Sequence, residues 1–205
     1  MRRLVIDTAT RACSVALFEG NECIAAFHED IGRGHAERLV PMIADLPDRG
    51  RSECIHVNVG PGSFTGIRVG VSAARALGLA WGAECHGYGC LDMVAAMARG
   101  GEAIAVDVAM TGGHGEVYFQ RFDESGMAMT PPQSLPPDIA ATNSSAPYIA
   151  GDVAEGLVAL GGSAQAITLL PDARHWASIA DKAPLPARPF YVRGPDAKLP
   201  GSRIP

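Results

Sequence analysis

"GPGSFTGIRVG", residues 60–70, decides how this chain is read. It follows "SECIHVNVG", an apolar run of strand composition, and precedes a helical pattern that reaches Trp81. A strand, a glycine turn and a helix N-terminus in that order are the parts of an α/β unit. Two phosphate-binding motifs share this outline, and neither fits. The P-loop places a lysine directly before its Ser or Thr; here the segment contains Thr65 but no lysine. The G-x-G-x-x-G motif fails because Gly60-x-Gly62 is followed by Thr65 instead of a third glycine. What remains is a helix start at which Ser63 or Thr65 caps the first turn, or at which exposed N–H groups meet an anion.

The helix that follows is more informative. Gly66, Gly70, Ala74, Gly78 and Gly82 recur every four residues, which aligns them along one edge. Glycine inside a helix costs roughly 1 kcal/mol relative to alanine. Such a stripe therefore predicts a compensating close approach by another stretch of backbone. Ile67, Val69, Val71, Leu77, Leu79 and Trp81 cover the remaining faces, and Arg68, Ser72 and Arg75 are the main polar interruption. A helix apolar nearly all round is buried on more than one side. One side belongs on its own sheet; the other belongs on a neighbouring helix or on a second chain.

Upstream, "RRLVIDTAT", "CSVALFEG" and "ECIAAFHED" read as strands with tight connections, an antiparallel meander. "HAERLVPMIADL" then reads as a helix with Ala36, Leu39, Val40, Ile43 and Leu46 on one face, and Pro41 removes one backbone donor from it. Downstream come "AECHGYG" as a short strand or turn, "CLDMVAAMA" as a helix, and "GEAIAVDVA" and "GEVYFQRF" as strands. After Gly126 the pattern weakens into proline clusters, with "PYIAG" as a strand and "DVAEGLVALG" as a helix between them. The order β-β-β-α-β-α followed by further strands and helices predicts two α/β lobes, residues 1–100 and a smaller one at 101–205 with a proline-rich tail. No repeat of solenoid period is visible, and no relation between the lobes shows in the sequence.

Composition narrows the function classes. The chain has 205 residues, 47% of them hydrophobic and 19% charged, enough for a sizeable core. A net charge of -5 with no basic run makes it a poor nucleic-acid binder on its own, so any role at RNA needs a partner's positive surface. Five scattered cysteines without C-x-x-C spacing predict reduced thiols in a cytoplasmic protein. Asp7 interrupts the first apolar run, which is not a signal-peptide pattern, and no stretch is long and apolar enough to span a membrane. His28, His56, His86, His114 and His175 show no ligand spacing among themselves, so no metal site is expected from the sequence.

"LVIDTATRACSVAL", "GHAERLVPMI", "GPGSFTGIRVGVSAARALGLA", "GEVYFQRF" and "FYVRGPDA" together resemble the bacterial TsaB (YeaZ) family, most specifically in G-P-G-S-F-T-G-x-R. The resemblance is dense over residues 4–122 and thin beyond, apart from "FYVR". It implies the two-lobed actin-like (ASKHA) fold of the actin, sugar-kinase and Hsp70 superfamily. It also implies a part in making N6-threonylcarbamoyladenosine at position 37 of tRNA. TsaB-like proteins are understood as non-catalytic partners of a homologous TsaD-type catalytic subunit, joined by a TsaE-type ATPase, and as homodimers when alone. They reach tRNA only through that complex. The catalytic relatives hold a metal through H-x-x-x-H; here His35 opens the corresponding helix and Leu39 stands four later, so one ligand is missing. The family's D-A-R-x-x-x-V-Y turn is also altered, with Val108 and Ala109 after Asp107, glycines at 112 and 113, and no arginine.

Two functions from different classes follow. The first is a scaffold subunit without catalytic residues or cofactor, whose partner interface comprises His35, Leu39, Ile43, Gly66, Arg68, Gly70, Ala74 and Gly78. On this reading Gly70→Leu abolishes association and leaves the monomer folded. The second is a small nucleotide-binding ATPase or kinase-like enzyme whose cleft is lined by Asp7, Thr8, Ser63 and Thr65. Asp7 alone is too little for phosphoryl transfer, which also needs a phosphate clamp and metal-holding groups.

Overall fold

A computed structural model describes residues 1–161 and 163–192. The meander is present: β1 (Arg2–Asp7), β2 (Ala12–Glu19) and β3 (Glu22–Asp30) pair antiparallel. Helix α1 (His35–Ala44) leads to β4 (Cys54–Asn58), which pairs parallel with β1. Helix α2 (Phe64–Trp81) leads to β5 (Glu84–Tyr88), parallel to β4, and α3 (Cys90–Arg99) follows. The first sheet is completed far along the chain by β11 (Leu185–Pro186), antiparallel to β5, after a 3-10 helix at Ala173–Ile179.

The second sheet is built the same way. An antiparallel meander of β6 (Val106–Thr111), β7 (Val117–Phe122) and β8 (Gln133–Leu135) is followed by α4 (Pro137–Asn143). Then come β9 (Tyr148–Ala150), parallel to β6, α5 (Ala154–Val158) and β10 (Gln165–Ile167), parallel to β9. The strand order β3-β2-β1-β4-β5 of the first sheet is matched by β8-β7-β6-β9-β10 in the second. This is the two-lobed actin-like fold, with a second lobe whose later strands and helices are cut short.

The layers run helix, sheet, helix, sheet, helix. Leu39, Met42 and Ile43 of α1 and Ile67, Val71 and Ala74 of α2 pack on Leu4, Ile6, Ile55 and Val57 of the first sheet. On the other face of that sheet lie Trp176 and Ile179 of the 3-10 helix and Met93 of α3. Helix α3 turns Leu91, Val94 and Ala95 toward Val106, Val108 and Phe122 of the second sheet, so it serves two cores at once. Helices α4 and α5 cover the far face through Ala140, Ala154 and Leu157. The expected lobe boundary at residue 100 falls between α3 and β6, and the segment from Ala173 to Pro186 returns to the first sheet.

The structure corrects two sequence expectations about the helical layer. The glycine stripe points inward. A Cβ at Gly66 would collide with the backbone oxygen of Thr8, one at Gly70 with Thr8 Oγ1, and one at Gly78 with Cys85 Sγ. The backbone that approaches is the molecule's own, because α2 lies close on β1 and β5. Gly70→Leu would therefore break the monomer instead of sparing it. The assigned core face of α1 is also rotated: His35, Leu39, Met42, Ile43 and Leu46 are buried, whereas Ala36 and Val40 face out.

Candidate functional site

The loop at residues 60–66 sits at the C-terminal ends of β1 and β4 and borders the cleft between the two sheets. Here it folds onto the β1–β2 turn. The Ser63 N–H donates to the Ala9 oxygen at 2.6 Å, and a Cβ on Gly62 would overlap that oxygen. Thr8 Oγ1 donates to the Gly66 oxygen at 2.7 Å. Ser63 caps α2 by accepting from the Gly66 N–H at 3.2 Å. The glycines thus serve contact between two of the chain's own turns.

Asp7, the acidic residue expected at a phosphate site, is 1% exposed. Its Oδ2 accepts from Asn58 Nδ2 at 2.6 Å and from the Tyr88 hydroxyl at 3.0 Å, and its Oδ1 accepts from the Ala9 N–H at 3.1 Å. Burial pushes its carboxyl up to about 6 against the pull of those donors. Thr8 is fully buried as well. Ser63 and Thr65 are exposed, and the four residues do not line one cavity: Ser63 borders the cleft between the lobes, and Thr65 borders a groove on the outside of α1 and α2. The enzyme reading placed them together; the fold separates them, because Asp7 and Thr8 turn into the sheet core while α2 carries Thr65 to its outer side.

That cleft has a volume of about 860 Å³, with Ala9, Thr10, Arg11, Met110, Tyr118 and Tyr191 among its lining residues. At its rim the Arg68 guanidinium lies 3.4 Å from the Phe64 ring centroid, and Arg68 Nε donates to the Tyr191 hydroxyl at 2.9 Å. This ties the end of the described chain to the start of α2. Arg193, the last residue of the "FYVR" segment, lies outside the described residues. In the altered turn, Val108 and Ala109 are buried strand residues. Asp152 closes the turn by accepting from the Thr111 N–H and Oγ1 at 2.8 and 2.7 Å.

Of the expected interface residues, only Arg68 faces out. His35, Leu39, Ile43, Gly66, Gly70, Ala74 and Gly78 are buried in the monomer. His35 Nε2 lies 3.1 Å from the Ala12 oxygen, a structural contact between α1 and β2. The accessible surface is made by residues the stripe argument passed over. Val40 is 61% exposed, Phe64 56% and Leu79 89%. Val40 and Phe64 line the outer groove with Ala36, Thr65, Val69 and Ala73. The signal for this face was the apolar residues left over once the glycine edge is set against the sheet. Among the described residues no helix is long and apolar enough to cross a membrane.

Comparisons with known proteins agree on a kinship. The family model for TsaD, tRNA N6-adenosine threonylcarbamoyltransferase, matches residues 27–141. The tRNA threonylcarbamoyladenosine biosynthesis protein TsaB of Escherichia coli is 39% identical over 138 residues, 62% of this chain and 58% of that protein. An uncharacterised protein of Mycobacterium tuberculosis is 32% identical over 206 residues, 95% of this chain and 93% of that protein. The chain thus spans little more than half of the E. coli relative. Among solved structures, YeaZ from Pseudomonas aeruginosa is 27% identical with a TM-score of 0.76, covering 93% of this chain and 99% of that one. A second P. aeruginosa structure, described as similar to peptidase YeaZ, reaches a TM-score of 0.79 at 27% identity over 94% of this chain and 99% of its own.

Proposed function

The chain belongs to the TsaB (YeaZ) family, and on that premise we propose that it is a non-catalytic subunit of the apparatus that makes N6-threonylcarbamoyladenosine at position 37 of tRNA. It works by presenting the outer face of α1 and α2 to a TsaD-type catalytic subunit and holding that subunit in an active arrangement. A TsaE-type ATPase joins the same cytoplasmic assembly, tRNA is met only through it, and the free chain pairs with a second copy through the same face. The observation that carries this reading is the exposed apolar surface of Val40, Phe64 and Leu79 on a helical layer whose other side is already packed. Val40 and Phe64 border one groove between the two helices, and exposed apolar residues that share a face mark an interaction surface. A scaffold also fits the burial of Asp7 and Thr8, whose hydrogen-bonding groups are engaged inside the chain.

The test is a pair of charge substitutions at exposed positions, Val40→Glu and Leu79→Glu. Both leave the monomer's stability within about 0.5 kcal/mol, as surface changes do. Each is expected to weaken binding to a TsaD-type subunit by more than about tenfold and to lower tRNA modification in a reconstituted assay, on the scale of interface positions that matter. Unchanged binding in both variants removes the reading.

A further inference from the structure

The rear face of the first sheet, away from α1 and α2, carries four side chains of metal-ligand type that the reading above does not use. Cys54 and His56 stand two apart on β4, and Glu84 and His86 two apart on β5, so each pair shares a face. The parallel register sets Cys54 beside Glu84 and His56 beside His86. Along β4, Cys54 Sγ lies 3.3 Å from His56 Nε2; along β5, His86 Nε2 lies 3.4 Å from Glu84 Oε2. Neighbouring ligands around a tetrahedral zinc, with bonds of about 2.0–2.3 Å, stand roughly 3.3–3.8 Å apart. Between the strands the two imidazole centroids are 5.5 Å apart, and Trp176 stacks on His56 at 4.3 Å. All four residues line one open hollow of about 770 Å³.

We propose that Cys54, His56, Glu84 and His86 form a binding site for a divalent cation of the zinc class. One thiolate, one carboxylate and two neutral imidazoles carry two negative charges, which balance such an ion. Mixed sulfur, nitrogen and oxygen donors favour zinc over magnesium or calcium. The β4 half is held in place: Cys54 is 5% exposed, and the Trp176 ring fixes His56. The β5 half is adjustable, since the side chains of Glu84 and His86 are 81% and 33% exposed. Among the described residues no three such groups yet meet at one point, and closing the site takes a rotamer change of Glu84 and His86 toward β4. On binding, the Cys54 S–H bond breaks, the proton leaves to solvent and a sulfur–metal bond forms, with no change of oxidation state.

The experiment titrates the full chain, reduced and metal-free, with Zn²⁺ by calorimetry and with Co²⁺ by absorbance. One equivalent is expected to bind with a Kd on the order of 1 μM or tighter, and Co²⁺ is expected to give a thiolate charge-transfer band. Cys54→Ala abolishes that band. Glu84→Gln and His86→Ala each weaken binding by about tenfold or more, the scale on which even outer-shell changes act. Glu84→Gln alters an exposed side chain and keeps the test valid if another variant misfolds. Cys23→Ser, at the exposed thiol, is expected to keep the band. Absence of binding, binding indifferent to Cys54, Glu84 and His86, or loss of the band in Cys23→Ser overturns the proposal.

Discussion

Asp7 shows how a residue of catalytic type becomes structural. Its carboxyl is raised from 3.8 to about 6, chiefly by burial. The folded protein therefore holds the Asp7 proton more tightly than the unfolded chain does. The resulting stability is fully present below pH 3.8, declines as pH rises, and is gone above about pH 6. At about 1.4 kcal/mol per pH unit, the window is worth about 3 kcal/mol. Asp7→Asn removes this slope, because an amide does not titrate between pH 4 and 8, so the difference in stability between the two proteins varies with pH. Urea denaturation of both proteins from pH 4 to 8 checks this, and a constant difference across that range contradicts it. Asp7 was visible in the sequence as a residue at a strand end. Its isolation was not, because Asn58 and Tyr88 come from distant parts of the chain.

The elements follow the same division between local and distant information. Periodicity marks α2 as a helix that reaches Trp81 but misleads about which edge faces out. A helix apolar on nearly every side has no polar face to say which way is out. The glycine edge settles the question only once Thr8 and Cys85 are known to lie beneath it. The 3-10 helix at Ala173–Ile179 gave no periodic signal at all, being short and tertiary in its support. Asp172 anchors it, accepting from the Arg174 N–H at 2.9 Å, pairing with Arg174 and lying 3.4 Å from His28 Nδ1. The Ala173 N–H donates to Ser14 Oγ at 3.0 Å. Asp172→Ala is expected to cost about 2 kcal/mol through loss of a cap and of the pairing between a buried carboxylate and the half-exposed Arg174. It should also open the segment after residue 171 to proteolysis while β1 to β5 stay protected from hydrogen exchange. Unchanged cleavage in that segment would show that the anchor is idle.

At the scale of the whole molecule, the two sheets share one strand order, yet the second is abbreviated, with three-residue strands at β8, β9 and β10. We propose the boundary at residues 100 and 101 as the division between the lobes, with the returning segment belonging in energy to the first. Trp176 and Ile179 fill the core against Val5 and Phe18, and β11 extends the sheet beside β5. A chain ending at residue 171 is therefore expected to lose its cooperative thermal transition, or to melt about 10 °C or more below the full chain. Scanning calorimetry with a solubility assay decides, and an unaltered melting temperature refutes the claim. The sequence by itself determined the order of strands and helices, the kinship carried by its glycine-rich segment, and the spacing of the glycines. Those features are written in residues close together along the chain. Only the tertiary structure decided which side of α2 faces solvent, that the second lobe copies the first, and that Cys54 and His56 stand beside Glu84 and His86. Burial and strand pairing join residues far apart in sequence, and no local pattern records which distant residues meet.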